Sequence, residues 1–114
     1  MSSVICLEQV CLPVNFSAKA FFMIKDFRCK ETEKLFNRMI SLKLQNIERV
    51  ARRKLNMLDA ATSLTHLRIP PKNKLEALKG NRKGQHSIRI NSKWRLCFFW
   101  HKGNAYNVEI VDYH

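Results

Sequence analysis

No stretch of this 114-residue sequence approaches the roughly 18 consecutive apolar residues that a spanning helix needs, which excludes a transmembrane segment of that kind. The opening stretch, MSSVICLEQVCLPVNF, is apolar but lacks a basic start and contains Glu8, so it makes a poor secretory signal. None of the four cysteines (Cys6, Cys11, Cys29 and Cys97) forms a C-x-x-C pair, and no zinc-finger spacing is present. The plain reading is reduced thiols acting as small apolar residues in a cytoplasmic protein. Internal repeats and low-complexity tracts are absent as well. Acids are scarce, with 9 Asp and Glu against 21 Lys and Arg. The resulting net charge of +12 points to a polyanionic partner, and by itself it does not separate RNA from DNA, an acidic membrane or an acidic protein.

What is present is enough for one folded domain. The composition is 46% hydrophobic, too rich for a disordered tail, and the length suits one domain and not two. Residues 1–22 differ from the rest. They hold one base, Lys19, and one acid, Glu8, so the remainder keeps the whole net charge of +12. The basic domain is therefore expected to span 23–114. The leader is read as an added strand, a flexible arm or the product of an upstream start codon.

Met23–Phe27 reads as a short strand. Thr32 is a candidate N-cap, with Glu33 in the first helical turn and Leu35, Phe36, Met39 and Ile40 following at helical spacing. A longer helix is predicted from Leu44 to Ala61, with an apolar stripe of Leu44, Ile47, Val50, Ala51, Leu55 and Leu58. Its other face carries Arg49, Arg52, Arg53 and Lys54, by default a solvated face and otherwise a surface for phosphate or an acidic partner. Pro70-Pro71 end the helical part. After them Lys74–Leu78 is a candidate strand and Gly80–Gly84 a basic loop. His86–Ile90 alternates, Trp94–Trp100 is a clear strand, and Ala105–Tyr113 is the last one. The order predicts an α+β fold, with two N-terminal helices packed on one face of a three- to five-stranded, mainly antiparallel sheet.

On that sheet Trp94, Leu96, Phe98 and Trp100 should face the helices and Arg95 the open side. Lys79, Arg82, Lys83 and the closing Asp112-Tyr113-His114 are expected to gather near Arg95 at one end of the sheet. Such a set suits metal-independent RNA cleavage. A base takes the 2′-hydroxyl proton, an acid protonates the leaving 5′ oxygen, and cations hold the charge that develops on phosphorus. Asp112 or His114 can serve as base or acid, Tyr113 can orient or stack on a base, and Lys79 and Arg95 can stabilise charge. Lys74, Glu76, Arg82 and Lys83 are assigned to RNA binding. No metal-ligand spacing accompanies the set, and no cofactor is expected. Taken without context, Asp-Tyr-His is more often an exposed strand end, the Lys79–Gly84 stretch a soluble turn, and the two tryptophans core packing.

Four segments carry a family resemblance: MIKDF at 23–27, LEALKGNRKG at 75–84, SIRINSKWRLCF at 87–98 and VEIVDYH at 108–114. From Met23 to His114 the chain resembles HigB, the toxin of the HigB–HigA pairs in the RelE/ParE superfamily. The resemblance implies a RelE-like fold and ribosome-dependent cleavage of mRNA. It also implies neutralisation by a HigA-like helix-turn-helix antitoxin, and contact with operator DNA only indirectly, through the antitoxin complex. By motif, Lys79 matches the lysine of L-K-G, Arg95 the arginine of W-R, and Asp112, Tyr113 and His114 the terminal motif. Glu76 departs from the pattern, standing where some of these toxins carry a histidine, so the acid/base assignment stays open. The antitoxin is expected on Arg49, Arg52, Arg53 and Lys54, or on the first strand and the leader. Two other functions compete. A ParE-type toxin poisons DNA gyrase without cutting RNA, and a non-catalytic RNA- or ribosome-binding domain needs only charge and aromatics.

Overall fold

In the computed structural model, which describes residues 23–112, short local signals set the helices. Helix α1, Lys30–Phe36, has Glu31 and Glu33 in its first turn and Lys34 in its last, the distribution the helix dipole favours. It stops where Arg38 turns left-handed at φ 62°. The Met39 amide then bonds the Lys34 carbonyl at 2.7 Å and the Arg38 amide the Leu35 carbonyl at 3.1 Å, a Schellman closure. Helix α2, Glu48–Ala60, follows a 3-10 turn at Gln45–Ile47 and buries Ala51, Leu55 and Leu58 along one stripe.

Four strands follow: β1 Glu76–Ala77, β2 Gln85–Arg89, β3 Trp94–His101 and β4 Asn104–Asp112. They pair in the order β1-β2-β3-β4, antiparallel throughout. Alternation sorts the sheet. Ile88, Leu96, Phe98, Val108 and Ile110 join Leu35, Ala51, Leu55 and Leu58 in a single core, with Trp94 and Trp100 packed at its margin. Among the described residues no helix is long and apolar enough to cross a membrane.

The α+β class and the antiparallel sheet agree with the expectation, and several local readings are corrected. Thr32 is not a cap. It lies fully buried inside α1, and its hydroxyl accepts the Ile110 amide of β4 at 2.9 Å, so the helix begins after Cys29 instead. Met39 and Ile40 leave the helical pattern because the chain has already turned at Arg38, and they are 54% and 73% exposed. Met23–Phe27 forms no strand. It makes two isolated parallel bridges, Ile24 to Ala105 and Phe27 to Val108. The break has a cause in β4, where the pairing with β3 shifts register between Cys97 and Phe99 and Asn107 takes φ 51°. The long helix starts late, at Glu48, and the strand expected over Lys74–Leu78 shortens to two residues after a 3-10 turn at Pro71–Asn73.

The readings of residues 1–22 fall outside the described residues, as do Tyr113 and His114.

Replacing Thr32 by Val keeps its shape and leaves the Ile110 amide buried without a partner. A loss of about 1–3 kcal/mol in urea unfolding is expected, with Thr32→Ser close to wild type. Equal stability of wild type and the valine variant would show that the bond contributes nothing.

Candidate active site

The sheet face turned away from the core is polar. One cross-strand row runs Glu76, Ser87, Cys97, Glu109, and the next pairs Arg89 with Arg95 and Arg95 with Val111. Antiparallel pairing sets such residues roughly 5 Å apart on one face. Because the partner face is buried, the register cannot slip by one residue without turning these charges into the core.

Arg95 is the best-held side chain of this face. Its Nε donates to Ser87 Oγ at 2.8 Å and its Nη2 to the Lys74 carbonyl at 2.7 Å. The same Nη2 stands 3.6 Å from Glu76 Oε1. The Arg95 side chain is only 12% exposed and that of Glu76 53%, so a fixed guanidinium lies beside an accessible carboxylate. Further along the face Arg82 Nη1 donates to Glu109 Oε1 at 2.9 Å and to Gln85 Oε1 at 3.3 Å, and Arg28 approaches the same Glu109 oxygen at 3.9 Å. Cys97 is fully buried among them. Burial pushes its thiol up to about 11. Glu109 and Glu76 add to the rise, while Arg82 and Arg95 oppose it. The thiol is therefore neutral and a poor nucleophile at ordinary pH.

The expected site residues divide into two groups. Lys74, Glu76 and Arg95 come together around Ser87. Arg82, Lys83 and Lys79 belong to the turn after β1, where Lys79 and Lys83 are exposed and flank a 3-10 turn at Gly80–Arg82. Gly84 closes that turn at φ +96°, and a Cβ there would stand 3.4 Å from the Phe99 ring. Asp112 lies at the other end of the sheet. It pairs with Trp94, while the Leu78 amide bonds the Gln85 carbonyl, and Gln85 pairs with Phe99. At about 3.3 Å per strand residue, Lys79 and Asp112 are separated by more than about 15 Å along the sheet. The expected gathering at one end is thus corrected. The turns at the two ends of β2 point opposite ways, and β4 finishes beside the far one. By its register Asp112 also shares a face with Leu96 and Ile110 rather than with Arg95, and its Oδ2 is 3.9 Å from Lys93 Nζ.

Reading the sequence missed Ser87, Glu109 and the buried Nδ1 of His86, which has no hydrogen-bond partner among the described residues. Alternation with Arg95 was the available signal for Ser87, once the β2–β3 register is known. Nothing local marks Glu109.

With that geometry in view, the comparisons are specific. The family described as the RelE-like toxin of the type II toxin–antitoxin system HigB matches residues 25–114. Toxin HigB-1 of Vibrio cholerae is 52% identical over 62 residues, which span 54% of this chain and 65% of that protein. Endoribonuclease HigB of Proteus vulgaris is 35% identical over 94 residues, 81% of this chain and 100% of that protein. An uncharacterised protein of Haemophilus influenzae is 35% identical over 63 residues, 55% of this chain and 62% of that protein. The class is that of RelE-like toxins of type II toxin–antitoxin systems. Within it, the chain belongs to the HigB-like toxin family.

Two outcomes test the thiol. In the native protein at pH 8, mass-spectrometric mapping of iodoacetamide adducts should find Cys97 unmodified and the half-buried Cys29 modified. The raised pKa contributes stability that is complete below about pH 9 and is lost as pH climbs through about 11. Over that window the wild type should lose more stability to urea than Cys97→Ala does. Parallel pH curves would refute the burial argument.

Proposed function

We propose that this chain is the toxin of a type II toxin–antitoxin pair and acts as a ribosome-dependent, metal-independent endoribonuclease that cuts mRNA and stops translation. The observation that carries the reading is its 35% identity to the Proteus vulgaris endoribonuclease HigB over the whole length of that protein. The open sheet face supports it chemically, since it offers a pre-oriented guanidinium with a carboxylate 3.6 Å away. In this reading the RNA 2′ oxygen attacks the adjacent phosphorus as a base removes its proton. The bond from phosphorus to the 5′ oxygen breaks, and an acid returns a proton to that oxygen. Arg95 holds the charge on the phosphoryl oxygens, a task for which a planar fork already locked by Ser87 and Lys74 needs little reorganisation. Glu76, Asp112 and His114 are the groups able to exchange protons, and Tyr113 orients or stacks on a base. Lys79, Arg82 and Lys83 sit too far along the sheet to serve the Asp112 end and bind the flanking RNA, as Lys74 does near Arg95.

Few side chains on one small sheet position a flexible RNA poorly, so the ribosome supplies the alignment and free RNA is a poor substrate. A HigA-like helix-turn-helix antitoxin neutralises the toxin, with operator DNA reached only through that complex. Arg52 and Lys54 are poor candidates for its contacts. Arg52 donates to the Leu35 and Met39 carbonyls behind α1, and Lys54 is buried. The protein works in the cytoplasm, where ribosomes are. Residues 1–22 are an extension ahead of a toxin domain at 23–114, a division supported by the family match beginning at residue 25. The RelE-like layering, with both helices on one face of the sheet, belongs to the same reading and is supported by the shared core.

Primer extension on an mRNA in a purified translation system tests this. New cuts in codons at the ribosomal A site are expected with the wild type and ribosomes together. Arg95→Ala should cut about 10²–10³-fold more slowly, the typical loss for one charge-stabilising donor. Asp112→Ala/His114→Ala should be slower still. Inhibited translation without any cut would replace the enzyme by a non-catalytic toxin.

A further inference from the structure

Next to the open face, α2, the Pro71–Asn73 turn and the end of β2 enclose a cleft of about 440 Å³. Arg53, Lys54, Lys72 and Arg89 line it, over a floor that includes Val50 and Ile90, and no carboxylate is among its lining residues. None of the ion pairs among the described residues uses any of these four cations. Lys54 is only 7% exposed, and its ammonium donates to Asn73 Oδ1, a neutral acceptor that is itself fully buried. The Asn73 amide in turn donates to the Leu67 carbonyl at 3.0 Å, so the acceptor is held in place. Burial, together with the neighbouring Arg53 charge, lowers the Lys54 pKa.

Four like charges drawn into one cleft with no built-in counter-charge repel one another, and a buried ammonium beside a neutral partner is costly. An anion removes both penalties. The geometry also selects the kind of anion. Arg89 lines the cleft and stands opposite Arg95 in the β2–β3 register, so the cations of the cleft meet the open face at that pair. A polyanion with regularly spaced charges can follow that track around the sheet, and the apolar floor can take the sugar or base attached to a phosphate. A carboxylate side chain from a protein uses neither the continuity nor the floor.

We propose that this cleft is a second phosphate-binding site, occupied by a backbone phosphate of the RNA whose scissile segment lies across the open face. The inference rests on the RNA reading given above and adds to it a contact that begins beside Arg95, at Arg89, and extends away from it to Arg53 and Lys72. The site anchors the RNA strand and so governs binding more than the bond-breaking step.

The test uses a fluorescently labelled single-stranded RNA of about ten nucleotides, 2′-O-methylated so that it cannot be cut, with anisotropy followed across a salt series. Arg53→Gln/Lys72→Gln/Arg89→Gln should bind at least about tenfold more weakly at low salt. Its salt slope should be shallower by roughly 0.7 for each phosphate no longer neutralised. Lys25→Gln/Lys30→Gln/Lys43→Gln removes the same charge outside the cleft and should cost less than about threefold. Thermal melts check that both variants fold. If the cleft variant is misfolded, amide NMR shifts of the wild type on titration with inorganic pyrophosphate give the same answer, and they should concentrate at residues 50–54, 72 and 89–91. Equal weakening by both triple variants, or shifts spread over the whole surface, would overturn the site in favour of general charge attraction. Unchanged RNA affinity in the cleft variant would also overturn it and leave an acidic protein as the occupant. If the wild type fails to bind the RNA yet cuts mRNA on the ribosome, only the site falls, and if it does neither, the RNA reading falls together with the site. If the wild type binds this RNA and cuts mRNA in the primer-extension test, but the cleft variant binds the RNA as well, only the site falls.

Discussion

Register on the antiparallel sheet is the constraint from which the rest follows. Ile88, Leu96, Phe98 and Ile110 must all reach the core shared with α1 and α2, and pleating sends every intervening side chain the other way. Glu76, Ser87, Cys97 and Glu109 are therefore aligned by the demands of burial on the opposite face. The polar site inherits its precision from the apolar one. A hydroxyl on α1, that of Thr32, reinforces the arrangement by holding the Ile110 amide.

The charges on this face are engaged with one another to different degrees. Glu109 lies between Arg28 and Arg82 and is 14% exposed, an arrangement suited to stiffness more than to catalysis. Arg95 is different. A hydroxyl and a carbonyl, both neutral, accept from its fork and fix its direction, and the more exposed carboxylate of Glu76 stands 3.6 Å away. Orientation by neutral acceptors is what stabilising a developing anion requires. The buried Cys97 thiol supplies a small apolar floor under the pair and adds no charge of its own.

The same contrast separates the two faces of α2. Arg52 is drawn inward to the carbonyls that close α1 and to Glu48, whereas Arg53 and Lys54 turn to the cleft beside β2. A run of bases that looks uniform along the chain thus has three fates: one cation closing a helix end, one buried on an amide, one open to an anion. The excess of base is functional charge only where the fold leaves it without internal use.

Sequence alone determined the class of fold, the hairpins around Trp94–Trp100 and the direction in which Arg95 points, because period-two alternation and turn residues are local properties. It also singled out Lys74, Glu76 and Arg95 as candidate site residues, the last two inside segments that resemble a toxin family. It misread the end of α1, since the left-handed Arg38 that stops the helix carries no glycine to announce it. It took Thr32 for a cap because a hydroxyl looks the same whether it caps its own helix or holds a strand 78 residues away. The separation of Lys79 from Asp112, the enlistment of Ser87 by Arg95 and the convergence of four cations on one cleft were decided by tertiary structure. Each depends on which strand lies beside which and at what register, and pairing over such sequence distances is set by the packing of the whole core.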